Sequence, residues 1–223
     1  MKQAIYETDP WLEPFRDAID SRHERILSQL EKLSHSGTLD SAINNHLYYP
    51  LHVEGDEWVL REWAPNASRI YLVGDFNNWK RSEAYALKPA GSGNWEIRLP
   101  RMFMHHSDLY KLWIEWPGGG AYRLPSYVTR VVQNPETKDF SAQVWNPEPY
   151  IWKYGKPGKR PHPFIYECHI GMSSEKEAVS TFSEFRTLVL PRIHALGYDT
   201  IQIMALQEHP YYGSFGYQVS NFF

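Results

Sequence analysis

Residues 61–79 read REWAPNASRIYLVGDFNNW, and this stretch decides the fold of the middle of the chain. Two runs rich in Trp, Tyr, Val and Ile flank the turn-forming segment APNA, and the second run ends in GDFNN. Asp and Asn favour turns because their side chains bond to nearby backbone groups. The stretch therefore predicts two strands joined at a rigid Ala64-Pro65 corner, with Trp79 held at a fixed point beyond the second strand.

The same alternation of short apolar runs and turn residues extends over residues 41–150. The runs are EWVLREW, SRIYLVGDF, NWEIRL, LYKLWIEW, AYRL and DFSAQVW, and between them lie APNA, NNWK, AGSG, PGGG and NPETK. Several short strands at this spacing predict an all-β, immunoglobulin-like sandwich.

Residues 1–40 have a different pattern. From Pro14 to Leu33 the apolar residues recur mostly at helical spacing, and charged residues fill the gaps. This predicts an amphipathic helix that docks on another surface. SHSG at 34–37 predicts the end of the helix, with Gly37 at the stop.

Residues 151–163 form a basic linker rich in Pro and Gly, and the pattern changes after it. PFIYECHI and DTIQIMAL are short apolar runs typical of buried parallel strands. Thr181 and Glu184 have the spacing of a helix capping box between them. Residues 164–223 are thus expected to begin a parallel β/α domain with a βαβ unit. We expect Pro191 to kink the helix, Gly197 to end it, and its apolar side to carry Phe182, Phe185, Leu188, Val189, Ile193 and Leu196.

Composition limits the partners and the compartment. The 223 residues include 23 basic and 26 acidic ones. The chain therefore lacks the excess of basic residues that would indicate a nucleic-acid partner. No apolar run approaches the length of a membrane span, and the N-terminus lacks the apolar region of a signal peptide. Cys168 is the single cysteine, which fits a reducing compartment. We expect a cytoplasmic protein that contacts no membrane.

Aromatic residues make up 15% of the chain, although its mean hydropathy is −0.54. Strand preference offers one explanation, a β core rich in Trp and Tyr. A sugar-binding surface is the other, because flat rings suit the C–H faces of pyranoses and polar neighbours suit their hydroxyls. The same alternatives apply to Trp79, which could cap the sandwich core or contact a ligand.

Long strings of this sequence resemble one enzyme family. REWAPNASRIYLVGDFNNW, SGNWEIRLP and YRLPSYVTRVVQ are similar to the family 48 carbohydrate-binding module of glycogen and starch branching enzymes, most closely the eukaryotic type. The segment from FIYECHIGM to GYQVSNFF resembles the opening of their glycoside hydrolase family 13 barrel. The resemblance implies a multi-domain fold with an N-terminal helix, a sandwich and the start of an incomplete (β/α)₈ TIM barrel. Gln207 and Ser220 stand where Met and Thr are common.

The resemblance also implies an α-glucan partner and the residues that contact it. From the order of the strands alone, we expect the aromatic rings of Trp63, Trp79 and Trp95 and the long donor Lys111 to lie near one another. On the module the implied residues are Trp63, Ala64, Pro65, Trp79, Gly91, Ser92, Gly93, Asn94 and Lys111; His35 and Ser36 are added at the end of the first helix, and Tyr217 after the second barrel strand.

By resemblance the chemistry is cleavage of an α-1,4 link and transfer of the segment to a 6-hydroxyl, as in glycogen biosynthesis. Retaining sugar chemistry needs two carboxylates, and those of the family would lie beyond Phe223. No catalytic residue is therefore expected here, and the chain alone should be inactive. The chain would end inside an active-site wall. Glu167, Glu184 and Glu208 do not match the catalytic positions.

Other chemistries find no support in the sequence. The histidines and Cys168 lack a zinc-site spacing, and no GxGxxG or P-loop string occurs. We predict no metal, no cofactor and a monomer. Two rival functions are a non-catalytic glycogen-binding module, as in regulatory subunits of energy-sensing kinases, and a debranching or trehalose-forming enzyme.

Overall fold

The computed structural model describes residues 5–33 and 42–223. The chain divides into two compact units, Met1–Pro50 and Leu51–Phe223. The first unit is helical, and its main helix begins and ends close to the predicted limits. The position of the predicted stop at Gly37 lies outside the described residues. The helices of this unit are α1 (Ile5–Thr8), α2 (Arg16–Leu33) and α3 (Asn45–Tyr48), with 3₁₀ turns at Pro10–Phe15 and Ala42–Asn44.

Two antiparallel sheets form most of the second unit. The first has the order β1-β2-β5-β4, with strands His52–Glu54, Glu57–Trp63, Asn94–Pro100 and Lys88–Gly91 respectively. The second has the order β3-β6-β9-β8, and β7 also pairs with β6. Its strands are β3 (Arg69–Gly74), β6 (Leu109–Trp116), β7 (Gly119–Arg123), β8 (Val131–Gln133) and β9 (Phe140–Gln143).

The sandwich core lies between these sheets, because alternate residues of each strand point inward. Trp58 and Leu60 of β2 pack with Leu72 of β3 and Leu112 of β6 in one buried cluster. The Trp58 indole Nε1 donates to the carbonyl oxygens of Arg101 and Met104, both at 3.0 Å. Strand preference thus explains some of the aromatic residues, whereas Trp63 stays 57% exposed.

Three strands fall outside the predicted runs. These are β1, β4 and β8, of three or four residues each. Strand β4 reads KPAG and is exposed throughout, so it carries no apolar alternation. Pairing with a neighbouring strand makes these segments extended, and a single-strand pattern does not contain that information.

The last part of the second unit is a parallel βαβ arrangement, as predicted. Strands β10 (Ile165–His169) and β11 (Thr200–Met204) pair in register from Ile165↔Thr200 to His169↔Met204. The connecting helix starts with the predicted capping box. Thr181 Oγ1 accepts from the Glu184 backbone N–H at 3.2 Å, and the Glu184 carboxylate accepts from the Thr181 N–H at 3.0 Å. Gly197 follows the helix with a φ of +91°.

The connecting helix differs from the prediction on two points. It consists of α4 (Phe182–Glu184), a π-helical segment (Phe185–Val189) and α5 (Leu190–Ala195). Pro191 lacks an N–H, and the widened turn lies directly before it, where a kink was expected. The buried side is carried by Phe185 and Ile193, while Phe182, Leu188 and Leu196 are exposed. The predicted apolar face is therefore wrong at these three residues, and of them only Leu188 lies in the π-helical segment, where the spacing departs from the regular α-helical one that the prediction assumed.

Candidate functional site

A tight turn after β3 positions Trp79. The Asn77 side chain accepts from the Gly74 N–H and donates to the Leu72 carbonyl, both at 3.0 Å. Asn78 and Trp79 then adopt left-handed backbone angles, with φ of 53° and 59°. The indole Nε1 of Trp79 donates to Asp75 Oδ1 at 2.9 Å. Trp79 is half-buried and is not among the residues of the sandwich core cluster.

Lys111 lies beside this turn on the neighbouring strand. It pairs with Val73 in the β3–β6 ladder, and its side chain is half-buried. Trp79 and Lys111 line the same cleft, which has a volume of about 690 Å³. A flat indole and an ammonium donor thus face one space of the size that ligand sites usually have.

The sequence did not identify several other residues of this cleft. Asn134 Oδ1 accepts from the backbone N–H groups of Glu136 and Thr137, at 2.9 and 3.0 Å, which fixes the NPETK turn at the rim. The NPETK pattern predicted a turn, but its place beside Trp79 follows from the strand order. Further lining residues are Ser107, Gln133, Asp139, Ser141 and Gln143.

A second group of predicted residues meets at the end of β2. The Trp63 indole Nε1 donates to the Ser92 carbonyl at 3.2 Å, and the Ala64 N–H donates to the Gly93 carbonyl at 2.9 Å. Gly93 has a φ of +81°, and a Cβ there would lie 2.8 Å from Pro65 Cβ. Asn94 pairs with Trp63 in the β2–β5 ladder. These contacts hold the exposed Trp63 ring over the turn at Gly91–Asn94.

The two groups lie on different sheets and at opposite ends of β3. Pro65 precedes Arg69, the first residue of β3, whereas Lys111 pairs near Gly74, the last. A strand rises about 3.3 Å per residue, so roughly 17 Å separates the ends of β3. The structure thus brings Trp79 to Lys111 and Trp63 to Ser92 and Gly93, but it separates the two pairs that the sequence grouped together.

Tyr217 lies in the loop after β11 and is 80% exposed. Its backbone N–H donates to the Ser214 carbonyl at 3.1 Å. The loop therefore presents the ring at the C-terminal end of the parallel strands, the end at which α/β barrels carry their active sites. His35 and Ser36 lie outside the described residues.

Acidic groups in this part of the chain have structural roles or are exposed. Lys176 and the Thr181 backbone and hydroxyl groups lower the pKa of Glu184 to about 2, which fits its place in the capping box. Burial raises the pKa of the Cys168 thiol, so the thiolate is disfavoured.

Among residues 5–33 and 42–223, no cluster of His, Cys, Asp or Glu is placed to hold a metal ion. None of the helices in these ranges has the length and apolar character for crossing a membrane.

Similar sequences are known for the whole chain and for the sandwich in particular. Residues 49–130 match the model of carbohydrate-binding module 48 (isoamylase N-terminal domain). The chain is 39% identical over 227 residues to the 1,4-alpha-glucan-branching enzyme of Dictyostelium discoideum, covering 98% of this chain and 33% of that protein. It is 40% identical over 231 residues to the Aspergillus oryzae enzyme of the same name, with the same two coverages. The chain thus spans about a third of the length of the curated relatives that it matches.

Solved structures with the same fold include two pullulanases. The GBS pullulanase SAP in complex with maltotetraose superposes with a TM-score of 0.55 at 22% identity, covering 72% of this chain and 24% of that one. Pullulanase type I from Bacillus subtilis complexed with maltose gives 0.55 at 17% identity, covering 75% and 26%. Residues 49–130 thus match the carbohydrate-binding module 48 family, and the chain is similar over 98% of its length to proteins named 1,4-alpha-glucan-branching enzyme.

Proposed function

We propose that this chain is the glucan-binding part of a 1,4-α-glucan branching enzyme and that the Trp79–Lys111 cleft holds the glucan. The observation that carries the proposal is the meeting of these two side chains in one cleft. The indole offers an apolar face to the C–H side of a glucose ring. The Lys111 stem can pack along apolar surface while its ammonium group donates to sugar hydroxyls.

The exposed Trp63 ring above the Gly91–Asn94 turn is a second contact surface in this proposal. Weak sites of this kind become effective on a polymer, because many sugar units offer repeated attachment. Glycogen and amylose-like chains are therefore the partners that we propose.

The parallel strands β10 and β11 have a separate role in the proposal. A parallel strand pair with a connecting helix is the repeating unit of a (β/α)₈ barrel, and in this proposal β10 and β11 begin such a barrel, where Tyr217 would stack on a sugar ring in the active site. Cleavage and transfer need a pair of carboxylates. The Glu184 carboxylate is part of a helix capping box. Glu167 and Glu208 do not match the catalytic positions of the family that the sequence resembles. The chain alone accordingly supplies binding, and branching would require groups that it does not contain.

Replacing Trp79 by Ala tests the glucan site. Stacking on one aromatic ring should contribute about 1 kcal/mol, by analogy with aromatic pairs, so titration calorimetry with maltoheptaose should show severalfold weaker binding. Because Trp79 lies outside the core, the melting temperature should hardly change. Trp152→Ala is the matched control, since Trp152 is 81% exposed and lines neither this cleft nor the Trp63 surface.

Two outcomes of this experiment would contradict the proposal. A variant that melts much earlier while its folded fraction binds maltoheptaose as before would make Trp79 a structural residue. Equal losses of affinity in Trp79→Ala and Trp152→Ala would move the binding site away from the cleft.

A further inference from the structure

A second cleft adjoins the Trp79 cleft across strand β8. It has a volume of about 630 Å³. One wall is the segment 129–133 of the module, and the other consists of 207–210 and 221–223 from the loop after β11. Val132 and Gln133 line both clefts. The two spaces are therefore neighbours, with β8 between them.

Specific contacts hold the walls of the second cleft together. The Asn221 side-chain Nδ2 donates to the Val128 carbonyl at 2.8 Å. The rings of Tyr127 and Phe223 lie with centroids 4.8 Å apart. Across the loop, the Ser220 N–H and hydroxyl both donate to the Glu208 carbonyl, at 2.9 and 3.1 Å. These contacts give the cleft a defined shape and tie the loop that bears Tyr217 to the module.

The lining of the second cleft suits a neutral polyhydroxyl ligand. The Arg130 guanidinium already donates to Gln143 Oε1 at 2.7 Å and lies 4.0 Å from the centroid of the Trp145 ring. It is therefore a poor anchor for an anion, and the exposed Glu208 would repel one. Gln207 and Glu208 can instead bond to hydroxyl groups, and the 74% exposed Phe222 ring offers an apolar face.

Strand β8 adds backbone groups to this surface. It is an edge strand, paired to β9 on one side. The outward edge of such a strand presents N–H and C=O groups, which can donate to and accept from sugar hydroxyls. A chain that crosses β8 would thus find hydrogen-bonding groups between the two clefts.

We propose that the two clefts form one groove for a single α-glucan chain, which crosses β8 from the Trp79 cleft to the loop that carries Tyr217. The proposal rests on the glucan-binding function proposed above. It assigns a binding role to Gln207, Glu208 and Phe222. In this proposal, the contacts of Asn221 with Val128 and of Phe223 with Tyr127 align the groove with the C-terminal end of β10 and β11.

Chain length separates the two parts of the groove in a titration experiment. Maltotriose should occupy the Trp79 cleft, whereas a longer linear maltodextrin should also reach the second cleft. The double variant Gln207→Ala/Glu208→Ala should bind maltotriose as the unmodified chain does. Its affinity for the maltodextrin should fall about tenfold, which corresponds to about 1.4 kcal/mol. Phe222→Ala should show the same selectivity for length.

A longer glucan also binds more tightly because it can be bound in more positions along its length, and a matched control variant separates that effect from contacts in the second cleft. Gln202→Ala/Glu148→Ala removes the same side-chain types at exposed positions outside both clefts, and it should keep the full gain with length. If the groove variant and this control bind maltodextrin equally, while Trp79→Ala still weakens maltotriose binding, the groove is refuted and the glucan site stands. If Trp79→Ala leaves maltotriose binding unchanged, the proposed function itself fails.

Discussion

Glu62 is a buried carboxylate that joins the two sheets at one end of the sandwich. It follows Trp58 and Leu60 on the inward side of β2 and is 3% exposed. Its carboxylate accepts from the Ser126 N–H at 2.8 Å, the Ser126 hydroxyl at 2.6 Å and the Trp63 N–H at 3.1 Å. Ser126 directly precedes Tyr127 and Val128, which contact Phe223 and Asn221. One acidic residue thus organises the turn on which the loop of the parallel strands rests.

Glu62→Ala should lower the free energy of unfolding by about 1–3 kcal/mol at neutral pH, because the Ser126 and Trp63 donors lose a buried acceptor. Urea denaturation measures this loss, and Glu148→Ala, an exposed change, should cost less than 0.5 kcal/mol. Comparable losses in the two variants would show that the Glu62 contacts contribute little.

The pH dependence of the Glu62 contribution has a definite sign. Burial raises the pKa of Glu62 above its ordinary value of 4.5 in spite of the hydrogen bonds. The folded state therefore takes up a proton before the unfolded chain does, and stability from this residue increases as the pH falls through the folded pKa toward 4.5. The difference between the unmodified chain and Glu62→Ala should widen over that range; a narrowing difference would contradict the assigned cause.

At the scale of elements, local patterns predicted those parts that are stabilised by their own residues. LYKLWIEW predicted β6 to the residue, because its first half alternates in burial and places Tyr110 and Leu112 in the core. Thr181 and Glu184 predicted the helix start through contacts three residues apart. The short strands β1, β4 and β8 depend on neighbours elsewhere in the chain. For that reason no local pattern predicted them.

The turn between β4 and β5 offers a matched pair of glycines. Gly91 and Gly93 have φ of +86° and +81°, so alanine at either position should lose about 1–2 kcal/mol to left-handed strain. A Cβ at Gly91 meets nothing within 4 Å, whereas one at Gly93 meets Pro65 at 2.8 Å. Gly93→Ala should therefore be the more destabilising change in urea denaturation. Equal losses would mean that Pro65 moves away freely and that the turn does not fix the Trp63 surface.

At the scale of the whole molecule, the candidate site was only partly predictable. The sequence identified Trp79 and Lys111, and the structure brings them together across the β3–β6 ladder. The sequence did not identify Gln133 or Asn134, which line the same cleft. They lie at β8, and the position of β8 in the sheet is set by the strand order β3-β6-β9-β8 and not by a local pattern. Trp63 lies before β3 and Trp79 after it, so the length of this strand separates them. The number of residues between them does not reveal that separation.

The linker before β10 should be the first site of limited proteolysis. Residues 151–163 are exposed and contain no helix or strand, and β10 and β11 form a sheet of two strands with outer edges on both sides. Trypsin should cut after Lys153 or Lys159 while the sandwich stays intact, as mass spectrometry of the fragments would show. Lys156 and Arg160 should stay uncut, because Pro157 and Pro161 follow them and trypsin does not cleave before proline. First cuts within 52–143 would contradict this order.

The π-helical segment before Pro191 determines where a related chain could lack one residue. Such a turn holds one residue more than a regular α-helical turn, and here it allows the Leu190 N–H to reach the Phe185 carbonyl beside a proline that cannot donate. The additional residue and the proline compensate each other. A chain that exchanges Pro191 for an ordinary helix former could lose one residue from 186–189 and keep Phe185 and Ile193 on the same face. Either change by itself would set the two halves of the helix out of phase or leave the proline strained, so the deletion and the exchange should be inherited together.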